Sequence, residues 1–137
     1  MTAGPVSRWD IARVAACLAL FGAARIAVAG SMTDDTYIHM QYARNLAEAG
    51  ELSCKRGDPS NGATRPLWVG MLALVHLAGG DLAVWIRVFS SLAGALSVVM
   101  IYFFVLKLDG RRLLAGAAAV VLASEAWLLR WSATGME

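Results

Sequence analysis

Two adjacent carboxylates, Asp34 and Asp35, stand in the stretch TDDTYIHMQYARNLAEA, just past a first apolar run. Side by side they repel. An anionic pair is tolerated where a helix begins, because the unpaired N–H groups and the positive dipole end face it. Three kinds of work are open to such a pair. It can cap the helix, for which Asp and Thr are ordinary residues. It can ligate a cation, or one acid can take a proton from an acceptor hydroxyl or amine while its neighbour orients it. His39, four residues beyond Asp35, lies one helical turn away. Neither His39 nor His76 has a second histidine or cysteine at ligand spacing, so no histidine-based metal site is indicated.

Cations accompany the acids. Arg25 lies near the far end of the first apolar run, Arg87 and Arg130 near the corresponding ends of two later runs, and Arg65 directly before Pro66. A guanidinium can hold a lipid-linked phosphate in bidentate fashion, and it can equally snorkel to headgroups. Glu125, deeper in the last run, is a candidate counter-ion for one of them.

The elements that position these residues are membrane elements. Of 137 residues 58% are hydrophobic and 16% charged, with mean hydropathy +0.58, too apolar for an ordinary soluble domain. A net charge of +2, with basic and acidic residues interleaved, gives no nucleic-acid signature. Cys17 falls in an apolar run and Cys54 in a polar loop, so no disulfide is expected. The first run, 9–29, is read as an uncleaved anchor because it approaches the ~20 residues a span needs and further apolar runs follow.

An amphipathic helix over 35–49 comes next, with Gln41, Arg44, Asn45 and Glu48 on a wet face and Ile38, Tyr42, Ala43, Leu46 and Ala47 on an apolar one. A turn-rich loop leads to the short apolar helix 66–79, and then to two longer runs, 82–107 and 112–131. Lys107, Arg111 and Arg112 form a basic turn between those two, and Arg8 and Arg13 flank the start of the first run. Both basic ends fall in the cytoplasm if 66–79 lies on the surface and does not cross. The expectation is therefore an all-α membrane protein with three spanning helices, its N-terminus cytoplasmic and its loop 31–81 outside. Small residues four apart, among them Ser90 with Gly94 and the row Ala115, Ala119 and Ala123, would let these helices approach closely.

The acidic pair in DDTYIHMQYARNLA, then ATRPLW, AVWIRVFSSLAGAL and a closing ATGME, occur in an order that resembles the polytopic glycosyltransferases of the GT-C superfamily. That group includes protein O-mannosyltransferases, lipid A aminoarabinose transferases and arabinofuranosyltransferases. The resemblance covers nearly all of these residues but only the first part of such an enzyme, and so implies an N-terminal fragment with a partial GT-C fold. It implies that Asp34 is the base that deprotonates the acceptor and Asp35 its supporting acid, or the ligand of a divalent cation, since metal use varies in the family. Arg65 and Arg87 take the position of basic residues near the donor phosphate, with Arg25 a third candidate. Glu137 would enter a second outer loop that helps complete the site. The implied donor is a sugar on polyprenyl phosphate. The implied acceptor is a cell-envelope glycan, lipid or protein, on the outer face of a bacterial inner membrane. The alternative is a non-catalytic membrane protein that binds a lipid phosphate or a partner.

Overall fold

The computed structural model describes residues 6–28, 30, 32–57 and 65–135, and every element it forms there is an α-helix. In chain order these are α1 (Arg8–Ala27), α2 (Asp34–Ala49), α3 (Pro66–Leu77), α4 (Leu82–Asp109), α5 (Arg112–Ala123) and α6 (Ala126–Thr134). The observed ends differ from the expected ones by about two residues, except in the last run.

At 28 residues α4 is long and apolar enough to cross a membrane; its length of about 42 Å exceeds the ~30 Å hydrocarbon core. Asp81 Oδ1 starts it by accepting the N–H groups of Ala83 (2.8 Å) and Val84 (3.3 Å). The expected span 112–131 is instead broken into α5 and α6, bent by 54°, the geometry of an interrupted span or a re-entrant loop. Glu125 sits at the break, where its carboxylate accepts the N–H of Leu128 at 2.7 Å. The acid expected to neutralise an arginine thus caps α6. Although α1 has 20 residues, it carries Arg8, Asp10, Arg13 and Arg25 and is not among the helices apolar enough to cross, and α3 is a short apolar helix of 12, so of the three expected spans α4 alone is an unbroken one.

The helices belong to two compact units. One draws its residues from within 1–30 and 90–133; the other draws from within 31–89 and 134–136. In the first unit α1 packs on α5. Its core contains Val14, Cys17 and Phe21 from α1, Val98, Tyr102 and Leu106 from α4, and Ala115, Ala119 and Ala123 from α5. All three alanines are fully buried, so the small-residue row is indeed a packing seam. Gly94 serves the same end, since a Cβ there would lie 2.6 Å from Phe21 Cζ. The opposite side of α4 shows Leu92, Leu96, Met100 and Phe104 to the surroundings, one per turn.

At one end of this unit lies a polar clamp. The Asp10 carboxylate is wholly buried and accepts the Tyr102 hydroxyl (2.8 Å), Arg112 Nε (2.9 and 3.3 Å) and the Ser7 N–H (2.8 Å). Arg13 adds a looser pair at 3.7 Å. Burying an acid is costly unless it is paired and fully hydrogen-bonded, and here the N-cap of α1, α4 and α5 each supply a donor.

The second unit is built on the packing of α2 against α3. Met40, Tyr42 and Ala43 of α2 meet Val69, Leu72 and Ala73 of α3, with Leu82 and Ile86 from the first turns of α4. The expected faces of α2 need correcting at two positions. Asn45 is buried, because its amide donates to the carbonyls of Ser53 (2.8 Å) and Cys54 (3.1 Å) and so pins the returning chain. Ile38, placed on the apolar face, is 45% exposed. Gly50 ends α2 in the left-handed region at φ 70°, which lets its N–H reach the Leu46 carbonyl at 3.1 Å.

Candidate functional site

Thr33 is the N-cap of α2, which places Asp34, Asp35 and Thr36 in the first turn. The helix turns the first two outward and the third inward. Both aspartates are exposed, and among the described residues neither carboxylate has a hydrogen-bond or ion-pair partner. Neither, then, performs side-chain capping; what they gain from the helix is its dipole. Exposed and unengaged, they keep all their lone pairs for a cation or for the hydroxyl of an incoming molecule.

Thr36, by contrast, is buried and engaged. Its hydroxyl donates to the Thr134 carbonyl at 3.0 Å and lies 2.9 Å from the Thr33 hydroxyl. A hydroxyl has one proton, so with that proton given to Thr134 the Thr33 hydroxyl must be the donor in the second bond. Thr134, the last residue of α6, is therefore fastened one residue from Asp35. Gly135 makes the approach possible. It sits at φ 81°, and a Cβ there would lie 2.0 Å from Ile86 Cγ2 and 3.5 Å from Thr36 Cγ2. Of the closing ATGME motif, Thr134 and Gly135 are thus brought to the acidic turn, whereas Glu137 lies outside the described residues.

Asp34, Asp35, Arg65 and Arg87 all fall in the second unit. Arg65 is half-buried at the N-cap of α3, where its carbonyl accepts the Val69 N–H at 3.1 Å. Arg87 is exposed near the start of α4. Between these two in sequence lies an aromatic cluster: Phe89 stands edge-on to Trp68 at 6.0 Å and tilted to Trp85 at 5.4 Å. These rings tie α3 to the first turns of α4. Arg25 belongs to the first unit, where its Nε donates to the Ser132 carbonyl at 3.2 Å. That bond uses the arginine to hold the last turns of α6.

At the other end of α2, Glu48 joins α3 and the loop. Its carboxylate accepts His76 Nε2 at 3.0 Å and also pairs with Arg56. The His76 hydrogen bond, helped by the Arg56 charge and opposed by desolvation, holds Glu48 below the ordinary glutamate range. His76 is therefore a tether between α2 and α3. Among the described residues no group of three or more His, Cys, Asp or Glu side chains is gathered to hold a metal ion. A cation at Asp35 would need ligands from elsewhere, from Asp34, water or a bound phosphate.

The residues that sequence reasoning missed are Thr36, Gly135 and Asp10. A threonine beside two aspartates reads as one more cap, and the threonine it bonds to is 98 positions away. For Asp10 there was a local signal, its place three residues after Ser7 in capping-box spacing. Comparison with protein-family models, with curated proteins and with solved structures finds no match to this chain.

Proposed function

We propose that this chain is the N-terminal membrane region of a glycosyltransferase of the GT-C type, which moves a sugar from a polyprenyl-phosphate donor to an acceptor on the outer face of a bacterial inner membrane. The observation that carries the reading is the first turn of α2: two exposed carboxylates, without a partner among the described residues, beside a buried threonine that holds the Thr134–Gly135 segment. That arrangement supports Asp34 as the general base and Asp35 as the acid or cation ligand beside it. Arg65 and Arg87, in the same unit, are the proposed partners of the donor phosphate. The apolar length of α4 supports one crossing, and the bent α5–α6 pair supports a second, interrupted at Glu125; α1 is the proposed third.

In this reading the base takes the acceptor hydroxyl proton as the acceptor oxygen attacks the anomeric carbon. The bond to the phosphate oxygen breaks, and polyprenyl phosphate leaves with its charge held by guanidinium groups. Transfer of radiolabelled sugar from polyprenyl phosphate, in membranes of cells expressing the full reading frame, tests it. Asp34→Asn is expected to lower transfer at least about 100-fold, the scale of a general base, with the amount of inserted protein unchanged. Unaltered transfer would remove Asp34 from the reaction. It would also favour the second reading, a non-catalytic protein that binds lipid phosphate or a partner, to which the structural use of Arg25 at Ser132 already lends support.

A further inference from the structure

The end of the first unit opposite to the use of Arg25 is strongly basic and carries a groove that the transferase reading leaves without a task. The bond between Asp10 and Arg112, with the Tyr102 hydroxyl on the same carboxylate, gathers the start of α1, the end of α4 and the start of α5 at one place. Arg8, Arg13, Lys107, Arg111 and Arg112 stand there against Asp10 and Asp109, five cations to two acids, a local charge of +3. A groove of about 640 Å³ opens here, lined by Gly110, Arg111, Arg112, Leu113, Leu114 and Ala117. Its two ends differ chemically. At one, Arg111 is 78% exposed although its Nε meets Asp109 at 3.3 Å, and Arg112 stays partly exposed while bonded to Asp10. Along the other, Leu113 is 81% exposed and Leu114 about half, with Ala117 one turn on. Close by on α1, Trp9 is exposed and the Arg8 guanidinium lies 5.8 Å from its ring centroid.

A soluble anion would match the cations and leave the leucines wet; an apolar peptide would match the leucines and leave three net positive charges unanswered. One molecule with a negative head and an apolar tail satisfies both halves. The geometry points to a bound anionic phospholipid, its phosphate at Arg111 and Arg112 and an acyl chain along Leu113, Leu114 and Ala117. The inference rests on the membrane reading of the chain and not on its catalytic chemistry. Lipid held here braces the α4–α5 turn.

The test is lipid retention by the full chain purified in detergent, with bound lipid counted by native mass spectrometry. Phosphatidylglycerol and phosphatidylcholine of identical acyl chains are offered at equal concentration. Retention of phosphatidylglycerol is expected to exceed that of phosphatidylcholine about fivefold per engaged cation. Arg111→Gln should bring the two to near parity, Arg111→Lys should restore the preference, and Leu113→Ser should reduce retention of both. Equal retention by the unaltered chain, or an unchanged preference in Arg111→Gln, overturns the assignment. Displacement of phosphatidylglycerol by equimolar inorganic phosphate overturns it too, by showing a site for free phosphate. Carbonate extraction separates the two levels. A chain released from membranes sinks the membrane reading and this site together, whereas a chain retained in membranes without lipid preference sinks the site alone.

Discussion

Asp10 shows how much one residue can decide. Its carboxylate is buried with a tyrosine hydroxyl, an arginine and a backbone N–H on it, so each donor loses a buried partner if the charge is removed. Tyr102→Phe deletes one hydrogen bond to a charged group and is expected to cost about 1.5–3 kcal/mol. Asp10→Asn leaves the Arg112 guanidinium facing an uncharged amide and is expected to cost more than Tyr102→Phe. The thermal exposure of Cys17, which is buried in this same unit, reports the order of the two effects in a Cys54→Ser background. A lone acid ahead of an apolar run reads as part of a polar lead, because its partners stand 92 and 102 positions further on. Gly135 is the second such residue. Gly135→Ala places a Cβ where Ile86 already is, in a left-handed backbone that itself disfavours alanine by about 1–2 kcal/mol. The Thr36–Thr134 bond should then open. A Thr36→Cys, Thr134→Cys pair should form its disulfide readily in the parent chain and several-fold more slowly beside Gly135→Ala.

The elements were largely legible, because apolar runs and turn residues mark helix ends wherever local chemistry sets them. Pro66 opens α3, Gly50 closes α2, Asp81 caps α4, and the alanine row on α5 faces inward. Illegible were the features that depend on distant partners. The break before α6 arises where Glu125 can serve the Leu128 N–H, in a stretch whose composition alone reads as continuous helix. Asn45 looked wet because its true partners are loop carbonyls that no helical period predicts. Of the candidate site, the acidic turn at the start of α2 was foreseeable, and the clasp from Thr134 was not.

The packing of α2 against α3 has a pH dependence whose direction follows from Glu48. Unfolded, this acid titrates at its ordinary value of 4.5; folded, it titrates lower, chiefly because of the His76 hydrogen bond. Its contribution is therefore complete above the ordinary value and is lost as pH falls through the lowered one. The thermal midpoint by intrinsic fluorescence should separate the parent from Glu48→Gln at neutral pH, and the two should converge as pH falls below 4.5 and through the lowered value. Parallel curves would mean that the tether does not stabilise the hairpin.

For the whole molecule the decisive question is sidedness, since a base on α2 serves a lipid-carried sugar only in the compartment where that lipid presents its head. α4 is the span that length and composition support directly, and one crossing between its first turns and the Gly110 turn suffices to set those ends on opposite sides. The proposed phospholipid groove lies at the far end of that helix, at Arg111 and Leu113, and the acidic turn belongs with residues at its near end. The native Cys54 is exposed in the loop after α2, fixed there by Asn45, and makes a reporter that needs no substitution. In intact cells an impermeant maleimide is expected to label Cys54, and also a cysteine placed at Asp34, while Arg111→Cys in a Cys54→Ser background reacts only after the membrane is opened. Labelling of both ends from one side would place the acids and the basic turn in a single compartment. The outward transferase site could then not stand as proposed.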